Sequence, residues 1–345
     1  MSKTTSLLSR SPEEGARLLA LSFLDQAAEA RPRLADPNDT EALHDFRVGL
    51  RRLRSCLKAY KAQLDDSIPK KLAKRLKRLA GSTGPGRDTE VQIEWLRDRS
   101  PHLSAHHRAG LAWLLARLEE RKREAYGDME DEVADEFAKV EEDLRSRLSV
   151  YRVEIHLDPK EDRPTLAEVT ARILHKQVAE LEQHLAKVAD ADDEKEAHQA
   201  RISAKRVRYL LEPLVDEIPG AGPVVKRFKG LQDLLGELHD AHVLEAGLAE
   251  AVEEAAAERS RKILELSLAA APDDKLLRAE RRRAHEAGVI ALARLNRVRR
   301  DRLFEDLDDE WLDGKASDFL REVEGLGERM TAAAAPSSES TESAQ

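Results

Sequence analysis

The stretch EALHDFRVGLRRLRSCLKAY, residues 41–60, places one histidine ahead of a run of arginines. His44, Arg47, Arg51, Arg54 and Lys58 recur at steps of three and four, so a helix would carry them on one side, with Arg52 beside them. A second stretch, KEAHQARISAKRVRYLL from 195 to 211, aligns to 41–57 without a gap. It sets His198 on His44, Arg201 on Arg47, Lys205 on Arg51, Arg206 on Arg52 and Arg208 on Arg54. Tyr209 falls opposite Ser55 and offers a hydroxyl to an anion or to a helix seam. Guanidinium presents a planar fork that donates two parallel hydrogen bonds to a phosphate, and lysine adds a mobile point charge. Histidine can donate to the same anion and takes a proton more readily beside it, so affinity is expected to rise as pH falls toward about 6.5. Like charges at i,i+4 repel, so such a row weakens a helix unless an anion meets it. Donors repeating about every 5.4 Å suit an extended, regularly charged anion better than a single small metabolite.

Each copy is followed by a second basic segment. KRLKRLAGSTGPGRDTEV (74–91) lies over KRFKGLQDLLGELHDAHV (226–243), matching Lys74 with Lys226, Arg75 with Arg227 and Lys77 with Lys229. Arg78 joins the first row but has Gly230 opposite it, Lys58 has Glu212, and Arg87 has His239, so the second copy is less basic. Asp88 and Asp240 also coincide. A carboxylate beside an anion path repels unless it orients a cation, caps a helix or holds a metal, and orienting or capping is the reading favoured here. No dense ligand cluster supports a metal. The histidines at 102, 106, 107, 239 and 242 lack a partner pattern such as HExxH, GSTGPG lacks the spacing of a phosphate loop, and there is no nucleophile elbow. No catalytic residue and no cofactor is expected. A weaker third match, ARLEERKREAYGDM (116–129) with ARLNRVRRDRLFEDL (293–307), extends the collinear series and marks the chain as a duplicated helical unit.

Charge follows the same division. Residues 41–87 hold thirteen Lys or Arg against four Asp or Glu, and residues 198–229 seven against three. These segments carry +9 and +4 in a chain of net charge -9, so the rest carries -22. Positive charge is therefore concentrated at the duplicated rows, away from acidic runs such as DMEDEVADE (128–136).

The elements that must position these residues are helical. Of 345 residues, 36% are charged and 4% aromatic, with Leu, Ala, Glu and Arg abundant. Ser11-Pro12 opens the first helix, and breaks are expected at 32–38, 65–69, 81–86, 101, 148–164, 190–193, 218–223 and 271–274. Residues 150–157 alternate like a strand inside a connector, 150–164, that separates a first half (11–149) from a second (165–330). Residues 1–10 and 331–345 are expected to be mobile tails. The lone Cys56 reads as a buried filler, and no apolar run spans a bilayer, so a cytoplasmic protein without a membrane partner is expected.

HDFRVGLRRLR and HQARISAKRVRYLLE, each followed by a basic helix and then GPGRD or GELHD, resemble the CHAD family, the conserved histidine alpha-helical domain. The resemblance spans roughly residues 11–330. It implies an all-α fold of two four-helix bundles related by a pseudo-two-fold axis, with the basic helices lining a central groove. It also implies binding of inorganic polyphosphate and association with polyphosphate granules. The implied binding set is His44, Arg47, Arg51, Arg52, Arg54, Lys58, His198, Arg201, Lys205, Arg206 and Arg208, with Lys74, Arg75, Arg78, Lys226, Arg227 and Lys229 in a second row. Nucleic acid is the runner-up polyanion, although the rows supply a single tyrosine and no stacking platform. A phosphate-polymer-processing enzyme is a third reading, and protein partners are not legible.

Overall fold

Serine before proline starts the first helix: Ser11 Oγ accepts from the Glu14 N–H at 3.3 Å, and α1 runs Pro12–Ala30. The structure is a computed structural model that describes residues 6–36, 39, 41–127, 130–150, 163–269, 274–283 and 285–334. Within these, α1 is followed by α2 (Ala42–Ala59), a one-turn α3 (Lys61–Leu64), α4 (Lys70–Ser82), α5 (Gly84–Arg99), α6 (Ala105–Gly127) and α7 (Glu130–Leu148). The second half holds α8 (Leu166–Leu185), α9 (Glu194–Leu211), α10 (Ala221–Ala269), α11 (Lys275–Arg282), α12 (His285–Trp311) and α13 (Ser317–Ala334). All regular structure among the described residues is helical. Residues 151–157 of the strand-like stretch 150–157, and most of the 150–164 connector, lie outside the described residues.

Helix α2 buries Phe46, Leu50 and Leu53 against α1, and α9 buries Ala200, Ala204 and Val207 against α8 and α10. These residues share one large core with Phe137 of α7, Phe228 of α10 and Phe319 of α13. A second, smaller core joins Ile93 and Leu96 of α5, Leu114 and Leu118 of α6, Leu244 and Leu248 of α10, and Val289 and Leu292 of α12. Both cores draw side chains from both halves of the sequence. The physical cause is α10, whose 49 residues run from one core into the other.

The halves also meet at two glycines. A Cβ on Gly110 of α6 would lie 2.3 Å from His285 O and 2.7 Å from Gly288 Cα. One on Gly288 of α12 would lie 2.3 Å from His107 O and 2.8 Å from Gly110 Cα. The contact is reciprocal, between HRAG (107–110) and HEAG (285–288), and leaves no room for a side chain. Gly288→Val is expected to destabilise the fold by about 3 kcal/mol, read as a lower urea midpoint. An unchanged midpoint would contradict the close crossing.

Two assignments made from composition change at their edges. Residues 6–10 are anchored: Leu8 is fully buried, its N–H and that of Leu7 donate to Glu217 at 3.2 Å, and Ser6 Oγ donates to the same carboxylate. The N–H groups of Leu166 and Ala167 donate to the carbonyls of Arg10 (2.9 Å) and Leu8 (3.0 Å), so this segment also satisfies the first turn of α8. Helix α13 continues to Ala334, into the stretch expected as a tail. Residues 1–5 and 335–345 lie outside the described residues.

Candidate anion-binding cleft

Helices α2 and α9 pack on one another, and α5, α10 and α12 complete a cleft of about 790 Å³, open solvent included. Five pairs of its lining residues are counterparts in the two sequence copies: Arg47 with Arg201, Arg51 with Lys205, Asp88 with Asp240, Val91 with Val243, and Gln92 with Leu244. Trp95, His239 and Arg299 complete the wall. Five lysine or arginine side chains thus face two carboxylates.

The four cations of the α2–α9 pair differ in how they are held. Arg47 Nη1 donates to the carbonyls of Thr83 and, at 3.1 Å, Gly84. Those carbonyls belong to the cap and first residue of α5, where the chain breaks between α4 and α5. In the second copy Gly236-Glu237 replaces Gly84-Pro85, and the helix runs on unbroken as α10. Arg201 has no such carbonyls to grip. The Nε atoms of Arg51 and Arg201 are buried without a partner, and Lys205 makes no hydrogen bond or ion pair among the described residues. A convergence of cations without acceptors is electrostatically costly in the empty protein and is offset by an entering anion.

The same burial and crowding of charge shift the ionisation of these groups. Burial pushes the Lys205 ammonium down to about 7, and the charges of Arg201 and Arg51 push the same way. Arg201 is lowered by burial as well. His239 is lowered to about 4, first by burial and then by Arg201. His198, whose ring lies 4.7 Å from that of His239, is also lowered by burial. The protonation expected of His198 near pH 6.5 is therefore opposed by its surroundings in the empty protein, and the group poised near neutrality is Lys205. Asp240 is raised by burial against the pull of Arg201.

The remaining residues of the sequence-derived set lie elsewhere. Arg54 is half-buried and Lys58 exposed, both further along α2 and both without a hydrogen bond or ion pair among the described residues. His44 is exposed at the head of α2. Arg52 donates to Gln26 at 3.0 Å and pairs with Glu212 at 2.8 Å, while its counterpart Arg206 pairs with Glu180 at 3.2 Å. Arg208 donates to Gln232 at 3.1 Å and lies 3.4 Å from Glu212. Tyr209 lines a separate hollow with Ser55 and Cys56. In the second row Arg75 is held by Glu136 (2.9 Å) and Asp143 (2.8 Å) of α7, and Arg78 sits 3.9 Å from Glu136. Arg227 lies over the rings of Phe319 (4.3 Å) and Trp311 (5.3 Å). Lys74, Lys226 and Lys229 are exposed outside the cleft. Asp88 and Asp240 do line it, but each sits inside a helix, which removes the capping role.

Several wall residues were missed from sequence, His239 among them, which on sequence alone reads as an ordinary surface or seam histidine. Gln92 and Trp95 follow Asp88 by one and two turns of α5, a continuation of its face that periodicity alone could have supplied. Arg299 falls opposite Lys122 in the third match, and pairs with Glu237 at 3.3 Å as Lys122 pairs with Glu90 at the same distance.

A model of the CHAD domain family matches residues 19–249. The chain belongs to the CHAD domain family. The match is narrower than 11–330, yet it holds every wall residue except Arg299. This CHAD domain is similar in fold to the crystal structure of the CHAD domain from the plant Ricinus communis, with a TM-score of 0.56 and 23% identity over 82% of this chain and 92% of that one. No curated protein matches it. Among the described residues of this CHAD domain no group of three His, Cys, Asp or Glu could hold a metal, and no helix is long and apolar enough to cross a membrane.

Proposed function

We propose that the cleft binds linear inorganic polyphosphate without catalysing a reaction on it, and that this binding places the protein on polyphosphate granules in the cytoplasm. The observation that carries this reading is the convergence of Arg51, Arg201 and Lys205, none with an acceptor, in a wall built from counterpart residues. The same counterparts support a pseudo-two-fold axis between α2 and α9, and the reciprocal Gly110–Gly288 contact is consistent with it. Arg47, Arg51, Arg201 and Lys205 form the primary contacts, Arg299 adds a fifth cation, and Arg54 and Lys58 extend the path along α2. Asp88 and Asp240 act through their field on the arginines.

Nucleic acid fits the same wall less well. Trp95 is its one indole, and the guanidiniums of Arg99 and Arg299 already lie against it at 5.4 and 5.5 Å, so a base would have to compete with them for the ring. Competition at equal phosphate concentration tests the choice. Long-chain polyphosphate is expected to displace DNA or RNA, and the reverse would overturn it; release of orthophosphate with Mg²⁺ would overturn the binding-only reading. Arg75→Ala and Arg227→Ala are expected to change polyphosphate affinity less than about twofold in the same titration, since both side chains are engaged outside the cleft.

A further inference from the structure

The two copies differ at one member of the basic quartet: Arg47 is matched by Arg201, but Arg51 is matched by Lys205. That difference is chemical. Arginine keeps its proton at any pH a protein experiences, whereas a buried lysine gives its proton up readily. Lys205 sits in the cleft on α9 without a hydrogen-bond acceptor. The charged and titratable groups around it are Arg47 and Arg51 from α2, Asp88 from α5, His198, Arg201 and Arg208 from its own helix, His239 and Asp240 from α10, and Arg299 from α12. Cations outnumber carboxylates on every side but that of Asp88 and Asp240.

Resting on the polyphosphate reading of the cleft, we propose that polymer binding is coupled to uptake of a proton at Lys205, so that the second copy makes the site release its polymer as pH rises. Arg51 on the opposite wall cannot serve this role. In the empty cleft Lys205 titrates at about 7, so near pH 8 it is mostly neutral. Arriving phosphates provide the missing counter-charge and favour the ammonium form, so binding takes the proton from solvent. The direction follows: the bound state holds the proton more tightly, so affinity is flat below about pH 7 and falls as pH rises above it, by up to about tenfold per unit. His239, lowered to about 4, is neutral across this window in the empty cleft.

The test is calorimetric titration of the full chain and of Lys205→Arg with long-chain polyphosphate between pH 6 and 9, in buffers of different ionisation enthalpy. Wild type is expected to take up close to one proton per site at pH 8 and almost none at pH 6. Lys205→Arg, whatever its affinity at pH 6, is expected to hold that same affinity at pH 8 and to take up no proton. Equal uptake in Lys205→Arg would assign it to histidines or polymer ends and overturn the proposal, as would wild-type binding without uptake. Failure of both proteins to bind at any pH would instead overturn the polyphosphate reading, and the proton coupling with it.

Discussion

Replacing Arg47, Arg51, Arg201 and Lys205 together by glutamine is expected to weaken polyphosphate binding by about 10³-fold or more while leaving the helical content unchanged. In the proposed complex each side chain would make a charge-assisted contact worth about 1.5–3 kcal/mol, and each 1.4 kcal/mol is about tenfold in affinity. Four such losses exceed about 10³-fold even when each is taken at the lower figure. The fold survives because three of the four cations have no hydrogen-bond or ion-pair partner among the described residues, and only Arg47 holds backbone carbonyls. Removing Arg201 or Lys205 singly relieves repulsion in a half-buried site, so Arg201→Gln is expected to raise the thermal midpoint as it lowers affinity. Thermal melts beside titrations check both signs. Lost binding together with lost stability would mark these residues as parts of the scaffold.

The second large effect is that of salt. A polyanion releases condensed counterions when cations replace them, and for a flexible single strand the logarithmic slope is about -0.7 per neutralised phosphate. Four contacts give a slope near -2.8, hence about a 50-fold loss of affinity between 50 and 200 mM monovalent salt. Each neutralised cation should reduce the slope by about 0.7, and the fourfold variant should respond weakly. A slope unchanged in that variant would show that the polymer is held by other cations, the exposed Lys74, Lys226 and Lys229 being the first to examine.

What the sequence made legible follows from the range of the interactions involved. Periodicity placed Arg47 and Arg51 on one face of α2 because helical geometry is local, and the gapless match carried that face to Arg201 and Lys205 on α9. The same reasoning grouped Arg52 with them although it lies about 100° further round the helix, where Gln26 and Glu212 receive it. Partners remote in sequence were invisible. Glu136 and Asp143, which hold Arg75, come from α7, and the rings beneath Arg227 come from α12 and α13. Arg299 enters the wall from a helix whose match was the weakest of the three. The division into two halves rests on the sequence repeat and does not describe the packing, because α10 carries one copy through both cores. Burial, which moves Lys205 toward neutrality, has no signature in a run of basic residues.

A structure of the protein with bound long-chain polyphosphate tests the central claim most directly. The claim predicts consecutive phosphates between α2 and α9, within hydrogen-bond distance of Arg47, Arg51, Arg201 and Lys205. Phosphates ordered instead along the outer faces of α4 and α10, with the cleft free of polymer, would contradict it.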